Sequence, residues 1–61
     1  MYKYIEVKDW EDRGVIKRMD VSGHTDHSID TIENGMNRNL NHDKYFTAVF
    51  ESDTELPIIQ P

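Results

Sequence analysis

Two histidines and an aspartate near the middle of the chain are the residues best suited to metal binding or catalysis. His24, His27 and Asp30 follow one another at intervals of three. An imidazole and a carboxylate at that spacing can share one face of a helix, and both are ligands of zinc and other divalent ions. No His-Glu-x-x-His motif accompanies them, and His42 and Asp43 come about a helix length later. We therefore favour solvated side chains in a helix-capping loop over a small metal-binding domain, and we expect no metal or cofactor.

Hydrolytic chemistry would need a nucleophile held against a base. Ser22 and Ser28 flank the histidines, but neighbours in sequence rarely form such a pair, and the chain has no glycine elbow or oxyanion motif. Glu11 and Asp12 are paired carboxylates, yet they fall in a predicted turn with no apolar pocket around them to make one a general acid. The glycines are isolated, which excludes a phosphate-binding loop. We expect a protein that is not an enzyme.

The charge balance separates the possible partners. Twelve acidic residues against seven basic ones give a formal net charge of −5. Nucleic-acid binders are normally basic, because phosphate neutralisation supplies most of their affinity, so we expect no direct binding of DNA or RNA. The acidic residues either keep a small domain dispersed in water or imitate a nucleic-acid backbone that fills the basic groove of a nuclease or another nucleic-acid-binding protein. The carboxylates spaced for such a mimic are Asp9, Glu11, Asp12, Asp26, Asp30, Glu33, Glu51, Asp53 and Glu55.

Size and cysteine content limit how the chain can be stabilised. A chain of 61 residues is expected to form one domain, and a domain of that size buries only about 60% of the surface that its unfolded form exposes. The absence of cysteine excludes disulfides and thiolate zinc sites, and it fits a cytoplasmic protein. No signal-peptide pattern and no run of membrane-span length is present, so we expect no membrane contact. Stability must come from a well-made core or from a partner subunit.

One amphipathic helix is predicted to organise the chain. Apolar residues recur at intervals of three and four between Ser28 and Leu40 and form one stripe, made of Ile29, Ile32, Met36 and Leu40. The residues between them are polar, so one face is built for a core and the other for water. The helix is predicted to start near Asp26 and to continue through Gly35, although that glycine costs about 1 kcal/mol relative to alanine. The alternative is a helix that stops at Asn34, with Gly35 as its cap.

Three strand-like runs surround the helix. Tyr2–Lys8, Val15–Val21 and Lys44–Ser52 are rich in β-branched and aromatic residues. The polar turn Asp9–Gly14 joins the first two, which should form an antiparallel hairpin with Gly14 in the left-handed conformation.

These elements predict an α+β fold of order β-β-α-β. A three-stranded antiparallel sheet carries one helix packed on one face, and this domain spans residues 1–52. Residues 53–61 form an extended C-terminal tail, because Pro57 and Pro61 keep it out of a central strand. The sheet side chains predicted to lie under the helix are Ile5, Val7, Val15, Met19, Val21, Phe46, Ala48 and Phe50.

The second face of the predicted sheet is not polar, although a single helix can cover only the first. By alternation it carries Tyr2, Tyr4, Ile16, Tyr45 and Val49, and Trp10 lies just beyond the first strand. Contiguous apolar surface on a small protein marks an interaction site, and tyrosine and tryptophan are enriched at interface hot spots. Two alternatives stay open: the tail folds back over this face, or a one-residue slip of register exchanges the faces.

The sequence therefore predicts a small acidic protein-binding module. We expect an inhibitor or adaptor that blocks a larger host protein through the aromatic sheet face, as many accessory proteins of viruses and mobile elements of this size and charge do. The same face predicts a homodimer, because a self-complementary patch most often forms a two-fold interface.

Overall fold

The computed structural model describes residues 1–60 and contains three strands and one helix. The elements are β1 (Tyr2–Asp9), β2 (Val15–Asp20), α1 (Asp26–Arg38) and β3 (Tyr45–Ser52). The strands pair antiparallel in the order β2-β1-β3, so β1 is central. This confirms the predicted α+β fold of order β-β-α-β. Pro61, the last residue of the predicted tail, lies outside the described residues.

The turn between β1 and β2 is held by aspartate side chains. The Asp12 carboxylate accepts a hydrogen bond from the Gly14 N–H at 2.7 Å, and Asp9 accepts one from the Glu11 N–H at the same distance. Such side-chain turns tolerate a left-handed residue. That residue is Arg13, with φ of 60°, and no glycine within residues 1–60 has a positive φ. The prediction for Gly14 was therefore wrong by one position.

Helix α1 begins at Asp26, directly after its capping residue Thr25. The Thr25 hydroxyl accepts a hydrogen bond from the Ser28 N–H at 3.2 Å, which satisfies one of the free donors of the first turn. The helix continues through Gly35 and ends at Arg38, as the apolar stripe indicates. Its buried residue Ile29 packs on Ile5 and Val21, and partly buried apolar side chains surround this cluster: Met19, Ile32 and Met36.

The register of β3 differs from the prediction by one residue. Ile5 of β1 lies opposite Val49, so Tyr4 lies opposite Phe50. Because paired residues share a face, Phe46, Ala48 and Phe50 lie on the side of the sheet away from α1. Thr47 takes the helix side instead, where its hydroxyl donates to Glu33 at 3.1 Å.

An irregularity in β2 also moves two predicted side chains. The pairing of β1 with β2 shifts between Val7 and Lys8, so Val7 lies opposite Lys17 while Lys8 lies opposite Val15. This bulge places Val15 on the side away from α1, and Ile16 lines a groove on the helix side. Both positions were predicted on the opposite faces.

The tail crosses the sheet face that α1 leaves uncovered. The Leu56 N–H donates to the Tyr4 hydroxyl at 2.8 Å, and Tyr4 is 0% exposed. Ile59 reaches the free edge of β2, where it exchanges two backbone hydrogen bonds with Arg18, at 2.9 and 3.3 Å. We call residues 53–60 the strap. The strap therefore covers this face of the sheet, which was the first alternative left by the sequence. The exchanged faces of β3 correspond to the second alternative, a one-residue slip of register.

Candidate protein-binding site

The six residues predicted to bind a partner do not share one surface. Tyr2 and Tyr4 lie on the side of the sheet that the strap crosses, with ring centroids 6.5 Å apart. Trp10 lies in the β1–β2 turn and is 48% exposed. Val49 is 43% exposed and lies beside the other edge of α1. The remaining two, Ile16 and Tyr45, line one groove on the helix side.

That groove lies beneath and beside the second half of α1. It has a volume of about 580 Å³ and only two polar lining residues, Lys17 and Asn39. We call it the apolar groove. Its remaining lining residues are Val7, Ile16, Ile32, Gly35, Met36, Leu40 and Tyr45.

The apolar groove exists because the two halves of α1 pack against different parts of the sheet. The first half packs through Ile29 on Ile5 and Val21. The second half follows β3, where the Thr47 hydroxyl lies 3.1 Å from a Glu33 carboxylate oxygen and 3.3 Å from the Asn37 amide oxygen. The start of β2 is left without a covering element, and the bulge adds the Ile16 side chain to this uncovered region.

One end of the apolar groove is acidic. Tyr45 also borders a second depression, of about 400 Å³, which is lined by Asp9, Glu11, Asp43, Lys44 and Trp10. We call its three carboxylates the acidic end. None of them is in an ion pair within residues 1–60.

The Trp10 ring is fixed at this end of the domain. Its centroid lies 4.3 Å from that of Phe46, and its indole N–H donates to the His42 carbonyl oxygen at 2.9 Å. Because stacking and a hydrogen bond restrict the ring, the exposed indole is a preorganised contact surface rather than a mobile side chain.

A second, acidic groove lies between α1 and the outer part of β3. Lys3 is at its centre, 3.2 Å from an Asp26 oxygen and 3.6 Å from a Glu51 oxygen. The hydrogen bond and the negative charge of Asp26 raise the pKa of Lys3 above its ordinary value. Asp30 and Glu33 complete the lining carboxylates.

The predicted mimic carboxylates do not form one continuous surface. Four of them line the acidic groove and two lie at the acidic end. Asp12 is engaged in the β1–β2 turn, and Asp53 and Glu55 lie in the exposed first part of the strap.

Charged residues buried under the strap were not recognised from the sequence. Glu6 is 4% exposed, its carboxylate accepts from the Arg18 Nε at 2.7 Å, and the Lys8 Nζ lies 3.7 Å away. Arg18 also donates to the Pro57 carbonyl oxygen of the strap at 3.0 Å. The available signal was the opposite charge of Glu6 and Arg18 on paired strands. The burial of Glu6 and Arg18 depends on the strap, and the strap sequence has no hydrophobic periodicity from which its position could be predicted.

Of the histidine cluster, only His24 lies in the loop before α1, whereas His27 and Asp30 lie within the helix. His24 lies beside the Ser28 hydroxyl, with 3.4 Å between ring nitrogen and oxygen, while Asp30 belongs to the lining of the acidic groove. Within residues 1–60, no three His, Cys, Asp or Glu side chains are arranged to hold a metal ion.

Comparison with known proteins finds no matching family model, no matching curated protein and no matching solved structure. In the part of the chain that the structure describes, no helix is long and apolar enough to cross a membrane.

Proposed function

We propose that this chain is a small protein-binding module, an inhibitor or adaptor, that holds an apolar segment of a larger protein in the apolar groove. The observation that carries the proposal is the groove itself. It is an open depression of about 580 Å³ with a mainly apolar lining, and a contiguous apolar patch on a small domain marks an interaction site.

The lining has the composition of an interface centre. Tyr45, Met36 and three aliphatic side chains of the groove are only partly buried, and Lys17 is its one charged residue. Interface centres are enriched in tyrosine and methionine and depleted in charge. Covering this surface would contribute about 25 cal/mol for each Å² of apolar area removed from water.

The proposed site keeps part of the predicted binding set and gives the rest another role. Ile16 and Tyr45 belong to the apolar groove, and Trp10 stands next to its acidic end. Tyr4 contributes to the core under the strap, because it is fully buried and bonded to Leu56.

Imitation of nucleic acid is the alternative function. Four carboxylates around one groove are its best support, but Lys3 already neutralises part of that charge. The two functions differ in salt dependence: binding by a mimic weakens steeply as salt screens its carboxylates, whereas apolar burial does not.

The homodimer and the cellular setting are further parts of the proposal. The strap covers the aromatic face, so the outer edge of β3 is the remaining place for a two-fold contact. The absence of cysteine favours a cytoplasmic target, and the size and charge favour an accessory protein of a virus or mobile element.

The proposal is tested with two matched substitutions. Ile16→Lys places a charge in the apolar groove, whereas Ile58→Lys makes the same change at a strap residue that is 51% exposed and outside the groove. A protein captured from lysate by the unchanged chain is purified, and its affinity is measured by calorimetry for all three forms.

We expect Ile58→Lys to bind normally and Ile16→Lys to lose at least about 1.4 kcal/mol, a factor of ten. Thermal melts of both variants check that they are folded. A folded Ile16→Lys variant with unchanged affinity would remove the apolar groove from the binding site.

A further inference from the structure

We infer that the occupant of the apolar groove is an amphipathic helix of the partner, which lies beside the second half of α1 with a basic end at Tyr45. This inference rests on the proposed function and specifies the partner for the same site. Four features of the structure support it.

The first feature is the space above the sheet. Neighbouring strands lie about 4.8 Å apart, and β1 separates β2 from β3. The distance from β2 to β3 is therefore about two strand spacings, which is close to the 8–10 Å between the axes of two packed helices. The second half of α1 follows β3 through the bonds of Thr47 to Glu33 and Asn37. The vacant position over the start of β2 therefore matches one further helix.

The second feature is Gly35. It lies in the interior of α1, where glycine is the least favourable residue after proline. A Cβ at this position would have no heavy atom within 4 Å, so nothing in the domain requires the missing side chain. Gly35 forms part of the groove wall, and a bare backbone at a wall permits another backbone to approach closely. An occupant helix that crosses α1 at Gly35 explains the residue.

The third feature is the shortage of hydrogen-bonding groups in the groove. An extended segment would bring unpaired N–H and C=O groups, and only Lys17, Asn39 and the Tyr45 hydroxyl offer polar side-chain groups there. The strap takes the Arg18 position of the β2 edge, through the two Arg18–Ile59 bonds, so an added strand could not pair along the whole of β2. A helix satisfies its own backbone and therefore loses least on entering this groove.

The fourth feature is charge. The acidic end carries Asp9, Glu11 and Asp43 against Lys44, and it continues from the groove at Tyr45. The exposed Trp10 ring at the same place can receive a cation on its face. With a net charge of −5, the whole chain attracts a basic partner.

A second copy of this chain does not supply such a helix. Its own α1 already uses the apolar stripe against the sheet, through Ile29, Ile32 and Met36. The opposite face of α1 carries His27, Thr31, Asn34 and Arg38, which are exposed. The occupant must come from another protein.

The test uses synthetic peptides of eighteen residues, fluorescently labelled, and anisotropy to measure binding. The first peptide carries leucine at helical spacing with lysine elsewhere. The second has the same composition with leucine and lysine alternating, the pattern of a strand. The third repeats the helical pattern with glutamate in place of lysine.

Two matched variants locate the binding. Gly35→Gln adds a side chain at the groove wall, and Asn34→Gln adds one methylene at the neighbouring exposed position. Neither changes the net charge, and glutamine favours a helix over glycine, so both variants should melt no lower than the unchanged chain.

We expect the basic helical peptide to bind at least about tenfold more tightly than either other peptide. Gly35→Gln should weaken its binding about tenfold, and Asn34→Gln should leave it unchanged. The inference is overturned if the alternating peptide binds as well, if folded Gly35→Gln binds as the unchanged chain does, or if sedimentation shows a dimer that Gly35→Gln dissociates. In each of these cases a loss of partner binding in Ile16→Lys would still support the proposed function.

Discussion

At the scale of single residues, the buried pair of Glu6 and Arg18 links the sheet to the strap. The pair lies on the strap side of the sheet, with 2.7 Å between the Arg18 Nε and the Glu6 carboxylate. Arg18 also donates a hydrogen bond to the Pro57 carbonyl oxygen. Buried ion pairs often contribute little net stability, because both charges must leave water. Loss of Arg18 is costly, since the buried Glu6 carboxylate then keeps only the Lys8 Nζ, 3.7 Å away, as a charged partner.

We therefore predict that Arg18→Met destabilises the domain by about 3–5 kcal/mol. The double variant Glu6→Gln, Arg18→Met should recover a large part of that loss, because no buried carboxylate is then left without Arg18. Urea denaturation followed by circular dichroism measures Arg18→Met, Glu6→Gln and the double variant. If the double variant is as unstable as the sum of its single variants, the two residues are not coupled.

At the scale of elements, α1 shows two levels of burial along one apolar stripe. Ile29 is buried in the cluster with Ile5 and Val21, whereas Met36 is half-buried at the apolar groove. The first half of the stripe therefore lies in the core, whereas the second half contacts both the core cluster and the apolar groove.

The two halves should respond differently to the same truncation. Ile29→Ala should cost about 2–5 kcal/mol, as for other fully buried aliphatic residues. Met36→Ala should cost about 1 kcal/mol, because its side chain is only partly packed. Chemical denaturation compares the two variants. An equal loss at both positions would mean that the groove side of α1 is core.

The elements themselves were predictable, whereas their faces were not. The period of α1 and the strand runs give each element within about two residues. The face of β3 was assigned wrongly because both of its faces are apolar. Alternation alone cannot then choose between Phe46, Ala48 and Phe50 on one side and Tyr45 and Val49 on the other.

The candidate site was only partly predictable for related reasons. Ile16 reaches the groove through a bulge, and bulges leave no mark in hydrophobic alternation. The strap has no periodic pattern, so its cover over Tyr4 could be named only as an alternative. Gly35 was visible as an unfavourable helix residue, but its place on the groove wall needed three-dimensional contacts.

At the scale of the whole molecule, the strap decides which surfaces are available. It covers the aromatic face, bonds Tyr4 and occupies one position at the edge of β2. Tyr4, which the sequence assigned to a partner, is thereby internal. Ile16 and Tyr45 line the apolar groove on the other side of the sheet, which the strap leaves uncovered.

Removal of the strap should expose the aromatic side chains on its side of the sheet, among them Tyr4 and Phe50. A chain that ends at Ser52 loses the cover over Tyr4 and the bond from Arg18 to Pro57. We predict a lower melting temperature and self-association of the truncated chain at micromolar concentration, measured by sedimentation velocity. Ile58→Lys serves as the control with an intact strap, and a monomeric truncated chain with an unchanged melt would contradict the prediction.

The attachment of the strap also divides the domain into units that open on different timescales. The strap is joined to the sheet by isolated hydrogen bonds, from the Leu56 N–H to the Tyr4 hydroxyl and between Ile59 and Arg18. The amides of Leu56 and Ile59 rest on single contacts, whereas those of β1 lie between two strands. In deuterated water the strap amides should exchange first, through excursions that uncover Tyr4 while the sheet and α1 stay folded.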